Sequence, residues 1–420
     1  MADAQRQRTI TVECAVAGGG PAGVMLGFLL ARAGVKVAVL EKHEDFFRDF
    51  RGDTIHPSTL QVMHDLGLLE AFLKLPHQKV ERLGAEIGDQ MVQIADFSHL
   101  PTAAKFIALM PQWDFLDFLA AQGKRYPGFD LHMAADVDEL ITEGGKVAGL
   151  KAATHHGDLE IRAALVVGAD GRHSTVRSLA RLPVENLGAP MDVLWMRLSR
   201  RPEDGEETLG RIEPGRVFIM INRGDYWQCA FVIPKGGFNE LKRKGLEKFR
   251  LAIVALKPSL ASRVHELSSW DDVKLLSVRV DRLETWHRPG LLCIGDAAHA
   301  MSPIGGVGVN LAVQDAVAAA NILAEPLREG RVTEEDLARV QKRRALPVKL
   351  TQRLQVFLQD RVISNVLAGT EIESIPVPLR ILNAYPVLRR IPGRIIGLGF
   401  RPEHVALAEI ALSKAAGGPS

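Results

Sequence analysis

The sequence predicts an α/β protein: a parallel sheet built from strand–helix–strand units, an inserted and mostly antiparallel second sheet, and a helical C-terminal tail. Three observations carry this. A β-rich run over residues 11–17 passes directly into Gly18-Gly19-Gly20-Pro21-Ala22-Gly23 and a helical segment. Buried-strand character returns at 164–168 and 291–295, each time delivering an aspartate beside glycine. Between those visits, near Leu187, the composition turns to alternating strands.

In order along the chain, residues 24–33 have helical composition and end at Gly34, a helix-stop signal. Residues 36–40 form the next strand, closed by Glu41, and complete a βαβ unit with a right-handed crossover. A helix over 57–66 starts at Pro57 and ends at Gly67. Another over 113–122 places Phe115, Leu116, Leu119 and Ala120 at helical spacing. Strands follow at 147–154, 159–162 and 164–168, the last running into Ala169-Asp170-Gly171. Residues 216–221 and 226–233 alternate around Asn222-Arg223-Gly224-Asp225, the pattern of an antiparallel hairpin. One long helix is expected over 238–256, stopped by Pro258, and an Ala-rich helix over 309–324. Beyond Val332 the chain reads as helix interrupted by Pro347, Pro376, Pro378, Pro386 and Pro392. The resulting division assigns 1–78, 103–186 and 284–345 to a discontinuous nucleotide-binding domain and 79–102 with 187–283 to a substrate-binding sheet domain. Residues 346–420 form the helical C-terminal region.

Composition narrows the class. Lys+Arg 52 against Asp+Glu 50 in 420 residues argues against a nucleic-acid binder, whose affinity comes from concentrated cations. A hydrophobic content of 47% with 24% charged residues is that of a folded globular chain. Cys14, Cys229 and Cys293 are too few and too scattered for a disulfide framework or a zinc site, which points to a reducing, cytoplasmic setting. The opening MADAQRQRTI has no apolar run of signal-peptide type behind it, and 24–40 is broken by Arg32, Gly34 and Lys36, so no integral membrane segment is expected.

Three constellations carry chemistry. Gly18-x-Gly20-x-x-Gly23 allows a tight turn and close approach of backbone to a pyrophosphate, and the helix it opens presents free N–H groups. Glu41, at the end of the next strand, can accept both hydroxyls of an unphosphorylated ribose, as in FAD or NAD. The second is Gly168-Ala169-Asp170-Gly171-Arg172-His173-Ser174. The third is Gly295-Asp296-Ala297-Ala298-His299, then Pro303 and Gly305-Gly306-Val307-Gly308-Val309-Asn310 opening a helix. Taken singly, each Asp beside Gly has a simpler reading as a turn residue.

Together and in this order the three motifs resemble the FAD-dependent aromatic hydroxylases, the family of p-hydroxybenzoate hydroxylase and the ubiquinone-pathway hydroxylases, from Val12 to about Ala320. The resemblance implies a Rossmann-like FAD-binding domain of the glutathione-reductase type. It implies that Gly18, Gly20, Ala22 and Gly23 hold the FAD pyrophosphate and Glu41 the adenosine ribose. Arg51 would lie near the pyrophosphate and ring, and Gln112 near the phosphate and ribityl region. Asp170 belongs to a motif linked to both FAD and nicotinamide use, and Asp296 would bind the ribityl chain. Pro303, Gly305, Gly308, Val309 and Asn310 would face the isoalloxazine ring. The activity implied is monooxygenation: NADH or NADPH reduces the FAD, O2 is captured as a flavin hydroperoxide, and a hydroxyl passes to a phenolic or quinol-like aromatic molecule.

The chain departs from the family at Val307, where a Gln or Lys is common, and its only tyrosines are Tyr126, Tyr226 and Tyr385, so no catalytic base is assigned. Met220, Tyr226, Trp227 and Phe231, with Phe218, are expected to wall a dry substrate pocket. His173 and His299 read as packing residues within cofactor motifs, His155-His156 as a solvent-facing turn, and Cys293 as core. Residues 374–401 carry five arginines and no acid among Leu, Ile and Phe; this is either a solvated helix face or a peripheral membrane-contact patch. A monomer or homodimer is expected. Two other classes stay open: a reductase or dehydrogenase of the same fold acting on a double bond or quinone, and a non-catalytic dinucleotide-binding protein.

Overall fold

The computed structural model describes residues 8–47, 54–88, 90–205, 209–369 and 375–410. Arg51 lies outside these residues.

The strand Arg8–Ala17 is central because its last four residues, Cys14 to Ala17, are fully buried and can be covered on both faces. Val37–Leu40 pairs parallel on one side and Gly157–Gly168 on the other. Phe129–His132 and Leu291–Cys293 extend the sheet outward, both parallel to their neighbours. Registers Ala17↔Leu40, Ala17↔Gly168 and Gly168↔Cys293 bring four strand ends to one edge. Gly18, Glu41, Asp170 and Asp296 therefore emerge side by side, as expected where ligands bind in open parallel sheets. The helices Pro21–Arg32 and Gly308–Arg328 pack on each other over the sheet.

The second sheet runs Lys274–Leu276, Met191–Ser199, Tyr226–Pro234, Arg216–Asn222, Leu209–Glu213, Arg82–Ile87, Gln90–Asp96. Every pairing is antiparallel except that of Leu209–Glu213 with Arg82–Ile87. One face, with Leu194, Met196, Phe218, Met220, Trp227 and Phe231, is sealed by Phe249, Ile253 and Leu256 of the helix Leu246–Leu256.

Several sequence expectations change here. The expected single helix over 238–256 is two, Phe238–Lys244 and Leu246–Leu256, because Gly245 takes φ +93° between them. The strands at 159–162 and 164–168 are one, Gly157–Gly168. Pro347 does not interrupt the helix Glu334–Leu358, so the division at 345/346 falls inside a continuous helix. Burial of Val340, Arg344, Val348 and Gln352 along one side of that helix outweighs the missing N–H of Pro347. Residues 401–410 lie back against the helix Pro21–Arg32: Ile410 N donates to Arg32 O (3.0 Å), and Arg32 pairs with Glu409 (3.2 Å).

The second sheet is anchored to its helices by Asp204, which pairs with buried Arg263 and accepts from Trp227 Nε1 (3.2 Å). The Arg263 hydrogen bonds hold the Asp204 carboxyl down at about 2 against an ordinary 3.8. A depressed folded-state pKa gives stability that is present above the ordinary value and lost as pH falls through the folded one. Asp204→Asn is therefore expected to flatten the fall in melting temperature between about pH 4 and pH 2, measured by thermal denaturation across that range.

Candidate active site

At the edge where the strands end, Gly18 takes φ +107°, and a Cβ there would stand 2.4 Å from Ala169 O. A Cβ at Gly23 would stand 1.9 Å from Gly18 O, so the helix Pro21–Arg32 packs directly on the turn. Gly20 is different: a Cβ there meets nothing within 4 Å, which marks the open side of the loop. The helix has no side-chain cap, so its first N–H groups face that opening. Glu41 accepts from Gly19 N (3.0 Å) and His43 N (3.1 Å), which fixes its carboxylate beside the turn.

Asp170 turns toward its own loop, accepting from Ser174 Oγ and from Val176 N (3.0 Å), and burial pushes its carboxyl up. Ser174 in turn caps the helix Thr175–Leu179 through Arg177 N. Asp296 keeps an exposed side, with Arg172 3.7 Å away. The strand ends thus supply two acids with different duties: Asp170 shapes a loop and Asp296 faces the cleft.

Behind Asp296 lies a buried network that sequence reasoning missed. Asp315 accepts from Gly295 N (3.0 Å), pairs with His299 Nε2 (2.6 Å) and with Arg344 Nε (2.9 Å). Arg344 continues to Glu403 (3.2 Å) and to Arg401 O (3.0 Å). Burial pushes the Asp315 carboxyl up, but His299 and Arg344 outweigh it and hold it below the ordinary value.

The loop from Pro303 to Val307 is fastened by distant groups. Gln355 Nε2 donates to Ser302 O (2.9 Å) and Ile304 O (3.0 Å), and its Oε1 accepts from Ser302 N (3.1 Å). Gln359 Nε2 donates to Ser302 Oγ (2.7 Å), and Gln352 Nε2 to Asp281 O (2.8 Å) and Ala300 O (3.1 Å). Their spacing, i, i+3, i+7, is the one signal in the sequence that could have revealed this row. On the other side, Thr54 Oγ1 donates to Gly306 O (2.7 Å). Asn310 Oδ1 accepts from His56 N (3.0 Å) and Thr59 Oγ1 (2.6 Å). Val309 and Asn310 bury their side chains, leaving the backbone of the uncapped Gly308–Arg328 helix to face the cleft, where a Cβ at Gly308 would meet nothing. Gln112 opens the helix Gln112–Gly123 just after the strand Ile107–Leu109, whose Leu109 pairs with Thr54.

The sheet face turned to this loop is not the expected one. Ile304 packs with Val193, Val217 and Val232, while Ile396 and Leu398 pack with Ile221, Ile219 and Trp195. Met220, Trp227 and Phe231, with Phe218, lie on the opposite face beneath the helix Leu246–Leu256. Strand alternation is strict, so choosing one parity moves the whole set. Tyr226 does share the loop-side face, at the strand's end, with the Arg197 guanidinium 3.8 Å over its ring. A cavity of about 100 Å³ lies beside the loop, lined by Ile304, Val307, Leu311, Leu354, Ile396 and Phe400 among others.

His56 is fully buried, which pushes its imidazole down to about 4; Nδ1 donates to Ile396 O (2.7 Å). Among the described residues no cluster of His, Cys, Asp and Glu could hold a metal ion. Among the described residues one helical stretch, Ile304–Arg328, is long and apolar enough to cross a membrane, and most of its apolar window is buried inside the protein.

These residues suit FAD: an open glycine at a helix N-terminus for the pyrophosphate, an oriented acid for a ribose, and a second uncapped helix N-terminus beside an apolar wall for the ring. The FAD binding domain family model matches residues 11–353. The chain is 32% identical to 6-methylpretetramide 4-monooxygenase of Streptomyces rimosus over 90% of its own length and 91% of that protein's. It is 26% identical to 3-demethoxyubiquinol 3-hydroxylase of Escherichia coli, covering 79% and 85%. In fold it resembles pqsL, a probable FAD-dependent monooxygenase from Pseudomonas aeruginosa, with TM-score 0.72 and 20% identity over 87% of this chain and 100% of that one. A match across most of the length, on the residues that form this cleft, makes the chain a member of the FAD binding domain family and an FAD-dependent monooxygenase of the aromatic-hydroxylase class.

Proposed function

We propose that the enzyme uses NADH or NADPH and O2 to hydroxylate a phenolic or quinol-like aromatic small molecule. The observation that carries this reading is the apolar sheet face of Val193, Val217 and Val232, with Trp195 and Ile219 beside them, packed with Ile304 of the Pro303–Asn310 loop. When bound, FAD supplies the reductive activation of O2. The chain's part is to hold, orient and keep dry. Gly18, Gly20, Ala22 and Gly23 form the pyrophosphate cradle, Glu41 orients the ribose, and Gln112 and Asp296 flank the ribityl side. The first-turn N–H groups at Gly308, Val309 and Asn310 would hold the flavin and favour negative charge on it. Val307 adds no polar side chain there, so positioning falls to backbone groups. Trp195, Ile219 and Ile221 exclude water from the aromatic substrate. His56, neutral above its lowered pKa, stays out of proton exchange near pH 7. The three buried thiols fit a reducing, cytoplasmic setting.

The deciding experiment follows NADH and NADPH oxidation in air by the FAD-loaded protein with phenols, quinols and 6-methylpretetramide, and reads product mass under labelled O2. One compound should accelerate oxidation and gain a single labelled oxygen. Stimulated oxidation with no labelled oxygen in the product would instead assign a reductase. The two sheet faces separate in the same assay. Trp195→Ala removes about 1.5–3 kcal/mol of apolar contact and should raise KM roughly ten- to hundredfold. Phe218→Ala should leave KM unchanged while lowering stability by about 3–5 kcal/mol.

A further inference from the structure

We propose that the surface formed by the helices Val377–Ala384 and Arg390–Leu398 and the turn between them docks on an anionic lipid bilayer. Residues 375–401 hold five arginines and no acidic residue, in a chain whose net charge is only +2. Arg380, Arg390, Arg394 and Arg401 are exposed. Between them stand Val377, Ile381, Tyr385, Val387 and Ile391, exposed by 44% (Ile381) to 61% (Tyr385). Arg389 serves the fold instead, donating to Leu382 O (2.9 Å) and Asn383 O (3.1 Å) at the end of the first helix.

The orientation of this surface is fixed from behind. A Cβ at Gly393 would stand 2.1 Å from Asp96 O, and one at Gly397 would stand 2.7 Å from Leu100 Cδ1. The second helix therefore lies flush on the strand Gln90–Asp96, with Arg390, Ile391 and Arg394 on its outer side. Cations and apolar side chains alternate at this surface. A lipid interface accepts both together, since phosphates and acyl carbons lie within one side-chain length of each other. A protein partner would have to answer four exposed arginines with acids of its own. Phe400 and Arg401, exposed on this side, also line the cavity beside the Pro303–Asn310 loop. Docking would thus bring that cavity's rim to the lipid; this consequence rests on the proposed aromatic substrate, whereas the docking itself does not.

The test is co-sedimentation of the FAD-loaded full chain with vesicles of phosphatidylcholine alone or mixed with phosphatidylglycerol. Binding is expected to the mixed vesicles at low salt, and to fall as salt rises. Arg390→Gln with Arg394→Gln should weaken it roughly fivefold per arginine, and Ile391→Ser should weaken it further. Circular dichroism and FAD content should match the parent in each case. No binding by the parent, or equal binding by the arginine variant, overturns the proposal. So does a dimer in sedimentation equilibrium that Ile391→Ser dissociates, which would assign this face to a second copy of the chain.

Discussion

Asp315→Ala is expected to destabilise the protein by about 3–5 kcal/mol, the cost of removing one partner from a buried ion pair. Asp315 is fully buried and answers three groups at once: Gly295 N, His299 and Arg344. Without it, Arg344 keeps Glu403 and a carbonyl, while a backbone N–H and an imidazole nitrogen lose their partner inside the core. The measurement is urea denaturation monitored by far-UV circular dichroism. Asp315→Asn, which preserves shape and an acceptor, should fall between the parent and the alanine variant. A loss of under about 1 kcal/mol in Asp315→Ala, the worth of a surface pair, would mean that the network is not a fastening. Because Gly295 N is one of the three groups, FAD affinity should weaken alongside stability.

The second large effect separates the cradle from the fold. Gly20→Ala adds a methyl at a position with φ −76°, where it strains nothing and touches nothing within 4 Å. Stability of the FAD-free protein should stay within about 0.5 kcal/mol of the parent. FAD affinity should fall tenfold or more, since the methyl occupies the space a pyrophosphate must approach. Gly18→Ala should lose both, because φ +107° costs an alanine about 1–2 kcal/mol before its Cβ meets Ala169 O at 2.4 Å. Titration with FAD followed by flavin fluorescence, beside thermal melts of the FAD-free forms, reads the two quantities apart. Gly20→Ala binding FAD as the parent does would place the pyrophosphate elsewhere.

What the sequence reveals of this protein follows from where each signal is stored. The edge bearing Gly18, Glu41, Asp170 and Asp296 is legible because each strand end is written next to its own turn. The sheet face that meets the Pro303–Asn310 loop is not. The strands Arg216–Asn222 and Tyr226–Pro234 are apolar on both sides, covered by a helix on one and by Ile304 with Ile363, Val366 and Leu367 on the other. Alternation then says that two faces exist without saying which one meets the Pro303–Asn310 loop, and the bulkier aromatic set belongs to the helix-covered core. Asp315 escapes notice for a related reason: it stands in the Ala-rich stretch of its helix with no charged neighbour in sequence, and its partners lie 16 residues back and 29 residues further along the chain. Asp170 was legible in position but not in duty, since only the folded loop shows its oxygens turned to Ser174 and Val176.

The glutamine row of the helix Glu334–Leu358 grips the segment before the Gly308 helix almost wholly by its main chain, through Ala300 O, Ser302 N and O, and Ile304 O. Peptide groups are the same whatever residue carries them. Mutation can therefore rewrite the side chains of this segment and of neighbouring Val307 without undoing the fastening, because the instructions for the loop's path are inherited some fifty residues away. Such an arrangement lets a lineage vary the side chains beside the Gly308 helix while the scaffold that presents them stays constant.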